Sequence, residues 1–205
     1  MRKIKLVVLF IFILITASCT HTRVVSFTDP DTGGKVYNRI AVVGTVEDLS
    51  DRLAIEKQMV KTLLENGVNA ISSLSLLPPT RDFTLEQENE IFNNNNVDAL
   101  VLIKIDKSGY MVSTEPMNIN TETRKKDGKK VERTTVSGGG TEHKAFSQFR
   151  VSLVDLESNK TMWIGDVDAR AFFDSINPDW DMEVLLKASS KKIAKELLKT
   201  GLVKY

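Results

Sequence analysis

Asp166 and Asp168 are two residues apart in a stretch that alternates apolar and polar side chains. A strand there puts both carboxylates on one face, the beginning of a metal or general acid–base site. Arg170 falls on the same face and balances their charge, which makes a solvated, ion-paired surface the simpler reading. His21 and His143 stand alone, neither with a second histidine at ligand spacing, so no zinc site is expected. The chain has no nucleophile elbow, no glycine-rich phosphate loop between a strand and a helix, and no paired histidine and cysteine. Ser137-Gly138-Gly139-Gly140 lacks the flanking elements that would make it a phosphate cradle. We therefore expect no catalytic residue, no metal, no cofactor and no enzymatic activity. Two chemical features remain. One is the thiol of Cys19, the only cysteine. The other is a cluster of cations, Arg124, Lys125, Lys126, Lys129, Lys130 and Arg133, around Asp127-Gly128, suited to an anionic partner, a wall polymer or a lipid head group.

Cys19 closes a leader. Arg2, Lys3 and Lys5 form a positive head, Leu6 to Ile15 an unbroken apolar run, and Thr16-Ala17-Ser18 a small-residue exit. Ten apolar residues are too few to cross a hydrocarbon core, which takes about 20 as a helix, whereas this pattern describes a secretory signal. Ala17-Ser18-Cys19, with Thr16 where leucine is usual, resembles the lipobox of bacterial lipoproteins. The resemblance implies cleavage before Cys19 and acyl chains on its sulfur and amine, a membrane anchor. Thr20, in place of aspartate, implies sorting to the outer membrane with the body facing the periplasm. The alternative is an ordinary signal peptide cut nearby, leaving a free thiol.

The 187 residues from Cys19 to Tyr205 suffice for one domain with a proper core. The whole chain carries 28 basic and 27 acidic residues, and losing Arg2, Lys3 and Lys5 leaves it close to neutral, which argues against nucleic acid as a partner. With one cysteine, and that one acylated, packing must supply the stability. The organisation expected is a signal peptide (1–18), a lipidated cysteine with a flexible tether (19–34), and a single α/β domain (35–205) interrupted by a polar arm (106–144). Residues 20–34 end in Asp-Pro-Asp-Thr-Gly-Gly, a turn and breaker signal. The competing reading pairs Val24-Val25-Ser26-Phe27 as an edge strand.

Ile40-Ala41-Val42-Val43 and Ala99 to Ile105 are continuously apolar, as central strands covered on both faces should be. Between them, Asp48 or Ser50 caps a helix whose stripe reads Leu49, Leu53, Val60, Leu63 and Leu64 and which Asn66-Gly67 closes. Val68 to Ile71 gives a short strand, and Thr84-Leu85-Glu86-Gln87 a capping box for a second helix that the asparagines 93–96 stop. In the arm, Asp127-Gly128 is a hairpin signal, so 110–123 and 131–136 can pair as a ribbon; disorder over 115–141 is the other reading. Ala145–Asp155 and Thr161–Phe173 alternate as an antiparallel hairpin, and after Asn177-Pro178-Asp179 Asp181 can cap a last helix. Its stripe is Leu186, Ile193, Ala194, Leu197 and Leu198, and Gly201 ends it. The fold class expected is α/β, one mixed β-sheet of about five strands against about three helices, in the order β-α-β-α-β-(long polar arm)-β-β-α.

This order, the opening Asn38-Arg39-Ile40-Ala41-Val42-Val43, and Val154-Asp155-Leu156 with Thr161-Met162-Trp163 resemble a group of small envelope lipoprotein domains. They include the curli secretion-channel lipoprotein, the outer-membrane lipoprotein activators of peptidoglycan synthases, and the amino-terminal domain of the Tol-Pal translocation protein. The resemblance implies a non-catalytic partner-binding or assembly module, acting on an envelope protein or peptidoglycan. Asn118 to Val136 is polar throughout and lacks the apolar outward face of a membrane-barrel strand. The alternatives are an oligomeric secretion or export component, and a periplasmic carrier of a small ligand or lipid.

Overall fold

The computed structural model describes the backbone of residues 20–114, 118–126, 129–137, 141–173 and 178–204. The leader, Cys19, the Asp127-Gly128 turn, the glycines 138–140 and Asn177 lie outside them.

β1 (Thr20–Thr28), β2 (Ile40–Gly44), α1 (Leu49–Glu65), β3 (Ala70–Ser72), the one-turn α2 (Ser73–Leu76) and α3 (Leu85–Asn94) make the first half. β4 (Ala99–Thr114), β5 (Asn118–Lys126), β6 (Lys129–Ser137), β7 (Thr141–Asp155), β8 (Thr161–Phe173) and α4 (Pro178–Lys199) make the second. Six strands form one mixed sheet in the order β1-β8-β7-β4-β2-β3, and β5 and β6 form a separate two-stranded ribbon. β2 runs parallel to β3 and β4, joined by helical crossovers as parallel neighbours must be, and the remaining pairs are antiparallel.

Alternate residues of the central strands feed two cores. Ile40, Val42, Val101, Ile103, Val151, Leu153 and Trp163 pack with Ile55, Met59 and Leu63 of α1 and Ile193, Ala194 and Leu197 of α4. On the opposite face Ala41 packs with Phe92 of α3 and Val97, so β2 is covered on both sides, as its unbroken apolar run requires. α3 covers only part of that second face. The face of β7 and β8 bearing Arg150, Asp166 and Arg170 stays in solvent.

The caps follow the sequence. Asp48 accepts from the Asp51 N–H at 2.9 Å, and Thr84 and Gln87 form the reciprocal capping box. Gly67 and Gly201 follow α1 and α4 with φ of 81° and 71°, and Asn96 beyond α3 takes 54°.

Four expectations need correction. Residues 20–28 form not a tether but β1, the edge strand of the competing reading, extended from Val24–Phe27 to the whole stretch and paired rung for rung with β8 from Thr20–Ala171 to Thr28–Trp163. The reason is the otherwise open edge of β8, whose backbone groups β1 satisfies while Val24 packs on the core. In α1 the buried row is Ile55, Met59 and Leu63 with Glu56 and Thr62, whereas Leu49, Leu53 and Leu64 are about half exposed. The i, i+4, i+8 row wins because it lies over β2, and its polar members are hydrogen-bonded. In the arm the ribbon reading holds and the disorder reading does not: β4 and β7 continue in register to Thr114–Thr141 past one irregularity at Ile105/Lys107, and β5 and β6 pair from Asn118–Ser137 to Lys126–Lys129. Finally, α4 begins at Pro178, whose fixed φ and missing N–H suit a first helical turn, and not after Asp181.

Candidate functional site

Cys19 lies outside the described residues, but Thr20, which follows it, opens β1. Thr20 pairs with Ala171, Ala171 with Ala145, and Ala145 with Tyr110, so the chain enters the sheet at one end, level with that row. Beyond the row, β4 and β7 run four further rungs, from Met111–Lys144 to Thr114–Thr141. The six positions expected from the sequence to carry cations lie on the β5–β6 ribbon, where only the backbone register is described. Lys126 pairs with Lys129, Lys125 with Lys130 and Arg124 with Val131, while Arg133 stands opposite Glu122.

Asp166 and Asp168 do not converge on a site. Arg150, from the neighbouring strand, donates to Asp166 through Nε at 2.7 Å and Nη2 at 3.3 Å. Arg170 donates to Asp168 through Nε at 2.9 Å and Nη2 at 2.8 Å, and Gln148 reaches it at 3.4 Å. The Arg170 guanidinium holds the Asp168 carboxyl below its ordinary range. His21 pairs in register with Arg170, and His143 with Phe173 and Val112, so the two histidines belong to different strands. Among the described residues no three His, Cys, Asp or Glu side chains gather as a metal would need.

At the opposite end of the sheet lies an open cleft of about 790 Å³ between the lead-in to β2, α3 and the β7–β8 turn. Asp155, 3 % exposed, is its anchor. Lys35 Nζ donates to Asp155 Oδ2 at 2.8 Å and to Glu157 Oε2 at 3.2 Å, and Ser158 donates to Asp155 through its N–H at 3.0 Å and through its hydroxyl. Burial pushes the Asp155 carboxyl up, but Lys35 and Ser158 outweigh it and hold the group at about 2. Burial, and then the Asp155 charge, push the neighbouring Tyr37 phenol upward. Asp98 accepts the backbone N–H of Asn38 at 2.7 Å and of Arg39 at 3.3 Å, closing the cleft floor. This is a clasp tying the start of the domain to the β7–β8 turn, with no nucleophile beside a base. A carboxylate whose folded pKa is depressed contributes stability above its unfolded value of 3.8 and loses it as pH falls through about 2. Asp155→Asn should therefore cost on the order of 2 kcal/mol at neutral pH and flatten the acid limb of a urea-melt series between pH 5 and 2.

The residue that the sequence hides is Glu56, a fully buried carboxylate on α1. Its Oε1 accepts from the Gly44 N–H at 3.0 Å, Arg52 Nε at 3.0 Å and the Ser73 hydroxyl at 2.8 Å. Its Oε2 accepts from the Ser72 hydroxyl at 2.5 Å and the Leu74 N–H at 3.1 Å. Burial raises its pKa, and the donors, Ser72 foremost, lower it further, so it stays ionised below the usual 4.5. Five donors fill the two oxygens, leaving no lone pair for a proton in transit or a metal. Glu56 is a clamp joining α1 to the carboxyl ends of β2 and β3. The signals for it are Arg52 four residues earlier and Ser72-Ser73 at the end of β3.

No protein-family model matches the chain, and no curated protein matches it by sequence. Among solved structures it is similar to a PelC dodecamer from Paraburkholderia phytofirmans, at 11% identity over 90% of this chain and 100% of that one, with a TM-score of 0.50. It also matches a minor lipoprotein from Acinetobacter baumannii (12% identity, 82% and 98% covered, TM-score 0.40) and lipoprotein GNA1162 from Neisseria meningitidis (14%, 77% and 98%, 0.41). The first is a likeness of fold. The other two superpose too loosely to add to it.

Proposed function

We propose that this chain is a lipoprotein, anchored through Cys19 in the outer membrane and facing the periplasm, that serves as a non-catalytic partner-binding or assembly module of the bacterial cell envelope. One observation carries the reading. The cysteine that ends the secretory leader is followed at once by the first strand of the sheet, so an acylated Cys19 holds the body flush on the lipid in a fixed attitude. Among the described residues no helix is long and apolar enough to cross a membrane. The Asp155 and Glu56 clusters are hydrogen-bonded clasps, and what the body offers a partner is surface. Among the described residues β1 is a free sheet edge, carrying Val25, 57 % exposed, and Phe27, 65 % exposed, the kind of edge on which another polypeptide can add.

The same free edge favours a second reading, an oligomeric component of an export apparatus, and the fold is one that PelC uses as a dodecamer. The open, polar cleft differs from the enclosed apolar pocket that a lipid carrier would need. A photo-crosslinker at Phe27 in intact cells, with detergent extraction and sizing, separates the readings. We expect one reproducible envelope protein joined to a monomer or small oligomer. Self-crosslinks in a large ring would move the assignment to the second reading. Loss of neither edge nor fold but capture of nothing reproducible would contradict both.

A further inference from the structure

Among the described residues the six-stranded sheet ends in two edges, β3 with three residues and β1 with nine. Asp29 donates its N–H to the Met162 carbonyl at 2.9 Å, and antiparallel ladders alternate bonded and unbonded pairs. Phe27, Val25, Arg23 and His21 therefore turn their backbone groups to β8. Thr28, Ser26, Val24 and Thr22 turn theirs to the open side, a row of donors and acceptors about 20 Å long. Edge strands are ordinarily guarded by lysine, proline or a bulge. β1 has neither lysine nor proline, and its register with β8 is unbroken.

The outer face of β1 defines what the row accepts. His21, Arg23, Val25 and Phe27 alternate outward, and the last two are more than half exposed. Arg23 stands beside Asp168 in register, but Arg170 holds that carboxylate at 2.8 Å, and among the described residues Arg23 has no ion pair of its own. A strand laid along β1 meets an unanswered cation at one end and an apolar pair at the other, so it suits an acidic residue opposite Arg23 and apolar ones opposite Val25 and Phe27. The β1 of a second copy does not suit. It carries no acid to answer Arg23. Antiparallel pairing about Val24 would also set Thr20 of one copy against Thr28 of the other, holding the two Cys19 anchors about 27 Å apart along the strands.

We propose that the β1 edge takes an extended segment of a partner protein as a further strand, with apolar side chains opposite Val25 and Phe27 and a carboxylate opposite Arg23. The proposal rests on the partner-binding reading, and the two fail separately. Benzoylphenylalanine at position 27 of the full-length chain is photoactivated in intact cells, and the joined peptide is sequenced by mass spectrometry. Ser26→Pro removes an N–H aimed at the open side and none from the β8 ladder, a place where sheets accept proline, whereas Ser26→Ala keeps that N–H. Arg23→Glu, at an exposed and unpaired position, reads the same contact without proline. We expect one reproducible partner peptide with Asp or Glu four residues from the joined position, the spacing of Arg23 and Phe27. Its yield should fall about tenfold or more with Ser26→Pro and with Arg23→Glu and hold with Ser26→Ala. Native yield from Ser26→Pro would overturn strand addition and leave the partner-binding reading standing. Native yield from Arg23→Glu, or a joined peptide without an acid at that spacing, would overturn the acidic segment. A joined peptide from this same chain would give the edge to a second copy and overturn the proposal. Capture of nothing by the chain without second substitutions would remove the partner-binding reading and the proposal with it.

Discussion

Glu56→Ala is expected to lower the free energy of unfolding by about 3–5 kcal/mol, the cost of breaking a buried charge cluster by removing one partner. The mutation strands five donors at once: the Gly44 and Leu74 amides, the Ser72 and Ser73 hydroxyls, and the half-buried Arg52 guanidinium. The buried contacts, from the Gly44 amide and the Ser73 hydroxyl, gave up water on folding and would lose their acceptor in the cavity left behind. Glu56→Gln keeps the volume but places an NH2 group among donors, so it should fall between alanine and the native chain. Glu65→Ala, at the exposed end of the same helix, should change stability by less than about 0.5 kcal/mol. The folded pKa of Glu56 is depressed, so its contribution is present above the unfolded value of 4.5 and fades as pH falls below it. Urea melts at pH 7 and pH 4 check both statements. A Glu56→Ala protein within 1 kcal/mol of native at pH 7 would mean the clamp does not hold α1 to the sheet.

The parts of this fold that the sequence reveals are those set by local chemistry. Ile40 to Val43 and Ala99 to Ile105 have no polar side to turn to water until Lys104, so they had to be central strands. Thr84 and Gln87 announce a helix start in four residues, and Asn96 and Gly67 take the left-handed angles their types allow. What stayed hidden depends on distant partners. β1 is a strand because β8, some 140 residues later, leaves an edge for it; Thr-His-Thr-Arg by itself looks like a tether. Leu49, Leu53 and Leu64 have helical spacing yet face solvent, because which side of α1 is buried is decided by where β2 and α4 lie. Glu56 reads as surface by residue type, and only the meeting of Gly44, Ser72, Ser73 and Leu74 around it makes it core. In the arm Asp127-Gly128 announced the ribbon, but the continuation of β4 and β7 to Thr114–Thr141 was not marked by any local signal.

The second large effect concerns Cys19. Each buried methylene of an acyl chain contributes about 0.8 kcal/mol, so chains on both sulfur and amine give attachment that salt and carbonate do not reverse. Cys19→Ser should leave the fold untouched, since the cysteine precedes the first strand, and should abolish incorporation of labelled palmitate. It should also block removal of the leader at that position. The most direct test is the mass of the amino-terminal peptide of the mature protein purified from membranes. The account expects a chain beginning at residue 19 whose mass includes acyl groups. A first residue elsewhere, or an unmodified Cys19 thiol, would contradict it.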